Sequence, residues 1–125
     1  MPGVDAPVRW GAVALDCADP AELGAFWAGV LGGEVAFASE GFVAVSAPGA
    51  WLTAQRVEGY RPPSWPDGDR PKQVHLDLAV DDLEAGEAHV LGRGATRAAH
   101  QPAPDRFRVY LDPAGHPFCL TTLIP

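Results

Sequence analysis

The chain carries an internal repeat, and self-similarity at a fixed spacing identifies the building unit before any single residue is weighed. Residues 11–31 read GAVALDCADPAELGAFWAGVL and residues 74–91 read VHLDLAVDDLEAGEAHVL. Each is an alternating apolar run, an acidic turn and a stretch of helical spacing, which predicts a strand followed by a helix. In the first copy Asp19 is placed to cap the helix, with Pro20 at the first helical position and Glu22 three residues after the cap. In the second, Asp81 and Glu84 have the same spacing. Leu23, Phe26, Trp27, Val30 and Leu31 form one apolar stripe, and Leu83, Val90 and Leu91 a thinner one. Gly32-Gly33, and Gly92 with Gly94, supply the stops.

After each helix the pattern turns extended. A strand is expected near Glu34–Ala38, then a hairpin from Phe42–Ser46 to Trp51–Val57 across Pro48-Gly49. The second copy repeats this near Ala95–Ala99, then Phe107–Leu111 to Phe118–Leu123 across Asp112-Pro113-Ala114-Gly115. The order is β-α-β-β-β, twice, over residues 8–57 and 74–125, within one domain spanning 1–125. Between them, residues 58–73 carry Pro62, Pro63, Pro66 and Pro71, which forbid a central strand and predict an extended connector. Trp65 within it is too large and apolar for a solvated linker, so it is expected to pack back onto the fold.

The tandem pattern, with LDCADPAELGAFW near the start, HLDLAVDDL at 75–83 and RVYLDPAGHPFCL at 108–120, resembles the glyoxalase-like branch of the vicinal oxygen chelate superfamily. The resemblance covers nearly the whole chain. It implies an α+β protein of tandem βαβββ modules, forming a curled mixed sheet around a cleft with helices outside: the glyoxalase/bleomycin resistance/dioxygenase fold. Members include glyoxalase I, extradiol dioxygenases, fosfomycin-modifying enzymes, epimerases, and metal-free proteins that sequester antibiotics such as bleomycin, so fold and chemistry are loosely tied.

Metal-dependent members place one ligand on the first strand and one on the last strand of each module. The resemblance puts Ala12 at the first position, where a methyl group cannot bind a metal, and His75 at its counterpart in the second module. The final-strand carboxylate position falls on Cys119, and the remaining one on Gln55 or Thr53, which alternation places on the same face. This set lacks the carboxylate that Mg²⁺, Mn²⁺ or Fe²⁺ sites rely on, so no metal and no cofactor is expected; His75, Gln55 and Cys119 are weak metal candidates. Zinc would need a third credible ligand beside His75 and Cys119. Asp77, two residues after His75, and Asp16 on the first strand are the nearby acids able to add one.

Each candidate also has a plain structural reading. His75 is either a hydrogen-bonded cleft histidine or a ligand contact and acid-base group. Cys119, between Phe118 and Leu120, reads as a buried thiol, and Cys17 as its unpaired counterpart. Asp112 and His116 flank a turn, where an acid caps backbone amides. Arg108 can anchor an anion or pair with a surface acid. Trp27 belongs to the core by helical spacing, whereas Trp51 and Trp65 are suited to line an aromatic wall for a ligand.

A formal net charge of −7 opposes contact with phosphate backbones and anionic membranes. No apolar run approaches the roughly 20 residues that span a bilayer, and Met1–Pro7 lacks a basic segment followed by an apolar one, so a cytoplasmic protein is expected. Two functions remain. One is a metal-independent small-molecule binder using Trp51, Gln55, Trp65, His75, Asp77, Arg108 and Cys119, sequestering a metabolite or antibiotic. The other is a divergent enzyme of lyase or isomerase type using His75 for metal binding or acid-base work. By the resemblance, and because two-fold dimers are the commonest assembly, a homodimer is expected, with clefts at or near its interface.

Overall fold

The first repeat folds as strand β1 (Val13–Cys17), helix α1 (Pro20–Leu31) and strands β2 (Glu34–Ser39), β3 (Phe42–Ala47) and β4 (Ala50–Arg56). The second gives β5 (Leu76–Ala79), α2 (Leu83–Arg93), β6 (Thr96–Arg97), β7 (Phe107–Leu111) and β8 (Pro117–Thr121). The structure, a computed structural model, describes residues 6–124; Met1–Asp5, and with them most of the segment read for a leader, lie outside the described residues. The sheets have the same plan, β1-β4-β3-β2 and β5-β8-β7-β6, with β1 parallel to β4, β5 parallel to β8 and the other pairs antiparallel. Among the described residues they are two separate four-stranded sheets, not one closed sheet, because no strand of one hydrogen-bonds to a strand of the other. Neither described helix is long and apolar enough to cross a membrane.

Both helices start on an aspartate in extended conformation. Asp19 accepts from the Glu22 amide at 3.2 Å, as its spacing predicts. In the second module the cap is Asp82 and not Asp81: its Oδ1 accepts from the amides of Glu84 at 2.8 Å and Ala85 at 3.4 Å. A cap must sit immediately before the first helical residue to reach these amides, and tandem aspartates leave that choice to the backbone. Gly32 (φ 66°) and Gly94 (φ 116°) end the helices in the left-handed conformation, where a side chain would be strained, while Gly92 lies inside α2.

The modules meet through α1. Trp27 packs edge-on against Phe26 (5.1 Å between centroids) and against Phe118 of β8 (5.0 Å). Its indole N–H donates to Asp112 Oδ2 at 3.0 Å in the buried core. The other Asp112 oxygen accepts from the amides of Ala114 (3.0 Å) and His116 (2.9 Å), and the His116 ring lies 2.8 Å from Oδ2. Asp112 and His116 thereby hold the β7–β8 turn, and Asp112 joins it to α1. The connector carries neither helix nor strand, and it is tied down: the Tyr60 hydroxyl donates to the Ala114 carbonyl at 2.8 Å, and Ser64 and Arg70 bond each other across the Trp65 loop.

Strand β6 is shorter than the pattern of residues 95–99 suggests. Beyond it the Ala98 amide still donates to the Val109 carbonyl at 3.0 Å, and the Gln101 side chain completes the edge, donating to the carbonyls of Ala98 (2.9 Å) and Val109 (2.8 Å) and accepting from the Val109 amide (3.0 Å). Cys17 and Cys119 are both buried and unpaired.

Replacing Trp27 with Phe removes one hydrogen bond to a buried carboxylate and leaves space beside Phe118. We expect a loss of about 2–4 kcal/mol, read as a lower urea midpoint with unchanged slope. Burial and the nearby Asp112 charge push the Tyr60 phenol up to about 12, and burial with a hydrogen bond to Glu87 raises that of Tyr110 further. A raised phenol contributes stability below its unfolded value of about 10, and loses it as pH climbs toward the folded value. Since these are the chain's two tyrosines, native protein at about pH 10.5 should show almost no tyrosinate absorbance until urea unfolds it.

Candidate functional site

Alternation along β7 and β8 sorts their side chains between two faces. Arg108 and Tyr110 reach acids of α2, while Phe118 and Leu120 join the core. Phe107, Val109, Pro117, Cys119 and Thr121 face the other way and form one wall of a cavity of about 330 Å³. Trp65 and the C-terminal Leu123 and Ile124 add apolar surface, and Lys72, His75 and Asp77 add polar groups. Trp65 is held with its ring 5.4 Å from that of His100 and with Lys72 Nζ 5.4 Å from the indole centroid. The connector thus returns its tryptophan to the fold, as its composition predicts.

Three predicted residues converge on the polar side of this cavity. Asp77 and Cys119 are opposite one another in the parallel β5–β8 register, and His75 precedes Asp77 by two residues. His75 Nδ1 lies 3.3 Å from Asp77 Oδ1. One donor atom from each of His75, Asp77 and Cys119 falls within 4.8 Å of the others. Burial, then the charge and hydrogen bonding of Asp77, push the Cys119 thiol up to about 11, which makes it a poor free nucleophile near neutrality.

The other predicted residues lie elsewhere. Arg108 is turned away from the cavity: its Nη2 is 2.8 Å from Glu84 Oε2, its Nη1 3.6 Å from Glu87 Oε1, and its Nε donates to the Pro104 carbonyl at 3.0 Å. Sequence left open whether Arg108 paired with an acid or held an anion; one step of alternation from Phe107 and Val109 places it with the acids. Trp51 and Gln55 are on β4 of the other sheet. Trp51 lines a separate depression with Trp10, Ala12 and Ala47. Gln55 stands between Asp16 and Phe42 in the sheet register, and Thr53 between Ala14 and Ala44. The ligand positions implied by the resemblance are accordingly divided, His75 and Cys119 on the second sheet and Ala12 with Gln55 or Thr53 in the first module.

Lys72, Phe107, Val109, Leu123 and Ile124 were missed by the sequence reading. Alternation from Cys119 across the hairpin would have found Phe107 and Val109; nothing local marks the rest. The converging donors include one carboxylate only, which does not fit a hard cation such as Mg²⁺ or Mn²⁺, whose sites are built from oxygens. An imidazole, a carboxylate and a thiol do fit a thiophilic ion.

A family model described as a glyoxalase-like domain matches residues 12–121. No curated protein matches the chain. Among solved structures, the fosfomycin resistance protein FosX from Mesorhizobium loti superposes with a TM-score of 0.68 at 18% identity, over 91% of this chain and 90% of that one. A mutant FosX from Listeria monocytogenes, complexed with Mn(II) and 1S,2S-dihydroxypropylphosphonic acid, gives 0.67 at 14%, over 91% and 89%. A glyoxalase/bleomycin resistance protein/dioxygenase family enzyme from Burkholderia phytofirmans PsJN gives 0.64 at 19%, over 87% and 94%. At such identities the likeness concerns the fold, which has the two-module plan derived above. With the family model spanning both modules, the chain belongs to the glyoxalase-like domain family of the vicinal oxygen chelate superfamily.

Proposed function

We propose that this protein binds a small, largely apolar molecule in the cavity on its second sheet, without Mg²⁺ or Mn²⁺, and so sequesters a metabolite or antibiotic. The observation that carries this reading is a cavity lined by Trp65 together with Phe107, Val109, Leu123 and Ile124 and by a few polar groups, Lys72, His75 and Asp77. Ligand sites are typically concave and mostly apolar, with a few polar groups fixing orientation. An indole supplies large, rigid contact area at low entropic cost. Similarity to proteins named for fosfomycin and bleomycin resistance supports a ligand of antibiotic type.

A second reading, a divergent enzyme of lyase or isomerase type, is favoured by the 3.3 Å contact between His75 and Asp77, since a carboxylate beside an imidazole orients it for proton transfer. Turnover that vanishes in His75→Gln would establish it. We also propose that the protein works as a cytoplasmic homodimer. The open face of the first sheet leaves Phe37 (57% exposed) and Trp51 (46%) uncovered, which favours burial against a second copy. Analytical ultracentrifugation checks this, and a monomer at micromolar concentration would contradict it.

The binding reading is tested by a thermal-shift screen of apolar metabolites and antibiotics with EDTA present. Hits should persist in EDTA, and Trp65→Ala should weaken them by about tenfold or more, while Arg108→Ala leaves affinity unchanged because its side chain faces α2. Binding that disappears with the chelator, or that is indifferent to Trp65, would overturn it.

A further inference from the structure

We propose that the cavity of about 350 Å³ between β1 and the connector is a second ligand site, which takes a small dianion of the phosphate-monoester or dicarboxylate class. It shares only Lys72 with the cavity on the second sheet, so the proposal goes beyond the function above and does not rest on it. Arg61, Arg70 and Lys72 line it, three of the nine lysines and arginines in a chain of net charge −7. Asp16 of β1 is the single acid in its wall. Three cations against one acid leave a local excess of two positive charges, which a dianion matches. Acids outnumber bases sixteen to nine, yet among the described residues no acid pairs with Arg61 or Lys72. Elsewhere the same surplus of acids has claimed Arg56, Arg97 and Arg108.

The connector holds these cations in place before any ligand arrives. Arg61 directly follows Tyr60, whose hydroxyl donates to the Ala114 carbonyl at 2.8 Å and lies 3.3 Å from His116 Nε2; Tyr60 and His116 also line the cavity. Arg70 is fixed at both ends: its amide donates to Ser64 Oγ and its Nε to the Pro62 carbonyl, each at 2.9 Å. Its one acid partner, Asp69 at 3.3 Å, is 87% exposed, and an ion pair so open to water competes weakly with a ligand. Lys72 Nζ is held 5.4 Å from the Trp65 indole centroid. Groups ordered in advance lose less entropy on binding, which separates this cluster from cations that move freely in solvent. Planar guanidinium forks match the paired oxygens of a carboxylate or phosphate, and the ammonium adds a point charge. The remaining acids of the chain oppose such a ligand little, because salt at 0.1 M screens charges beyond about 10 Å.

The test titrates glycerol phosphate, and separately succinate, into the full chain by isothermal titration calorimetry at constant ionic strength, with chloride as the background anion. We expect saturable binding of one molecule per chain for at least one probe, and the tighter probe identifies the anionic group. Arg61→Gln and Lys72→Gln should each weaken it by about tenfold or more. Arg106→Gln, which removes an exposed charge outside the cavity, and His75→Gln should change it by about twofold at most. Circular dichroism confirms that each variant is folded. Should one fail to fold, amide chemical-shift changes in the unsubstituted chain decide the matter, and they should centre on Arg61, Lys72 and Gln73. Binding of neither probe at millimolar concentration, shifts centred outside the connector, or an equal loss in Arg106→Gln would overturn the proposal. Apolar hits stand or fall with Trp65 and not with Arg61, so failure here is distinct from failure of the binding reading.

Discussion

The buried hydrogen bond from the Trp27 indole to Asp112 is the constraint on which the rest of the architecture depends. A four-stranded sheet with one helix is too small to bury its own apolar face securely, so each module needs the other. Trp27 meets this need with its ring, which packs on Phe118, and its N–H satisfies a carboxylate that would otherwise be costly to bury. The same Asp112 gathers the amides of the β7–β8 turn, and the hydroxyl of Tyr60 then docks the connector onto that turn. The placement of Trp65 follows, because its loop hangs from an anchored segment. One polar group in the core thus links the junction between modules to the wall of the cavity.

Strand alternation divides the labour across the second sheet. On β7, Arg108 and Tyr110 engage the α2 acids, while Phe107 and Val109 face the cavity. On β8, Phe118 and Leu120 serve the core, while Cys119 faces Asp77. Asp77 and Cys119 therefore stand on regular strands held by ladder hydrogen bonds, and the apolar surface is shared between the strand residues Phe107, Val109 and Pro117 and the irregular segments that carry Trp65, Leu123 and Ile124. A strand-borne floor beside side chains carried on irregular backbone suits a pocket that keeps one wall constant and adapts the other to the shape of its ligand.

Much of the fold was legible because its signals are local. The repeat, the strand order, the Asp19 cap and the Trp27 stripe all follow from spacing along the chain, and the Phe107–Leu111 strand was read to the residue. The exceptions have physical causes. Asp81 and Asp82 are chemically identical, and only the helix start decides which carboxylate reaches the amides. Gln101 completes the pairing of Val109 with a side-chain amide, which no alternation pattern encodes. For the site, His75, Asp77, Cys119 and Trp65 stand out by residue type and spacing, and they come together. Trp51, Gln55 and Arg108 stand out in the same way but lie on the other sheet or the opposite face.

The amino-acid sequence by itself determined the units: two βαβββ modules, their caps and turns, a proline-rich connector, and the residue types able to bind a ligand or an ion. Those features depend on periodicity and on backbone preferences within a few residues, which act wherever the segment ends up. Only the tertiary structure decided which candidates share a site. Residues 65, 77 and 119 are brought together by a parallel strand register and a docked connector, and these arise from contacts between distant segments that no local pattern records.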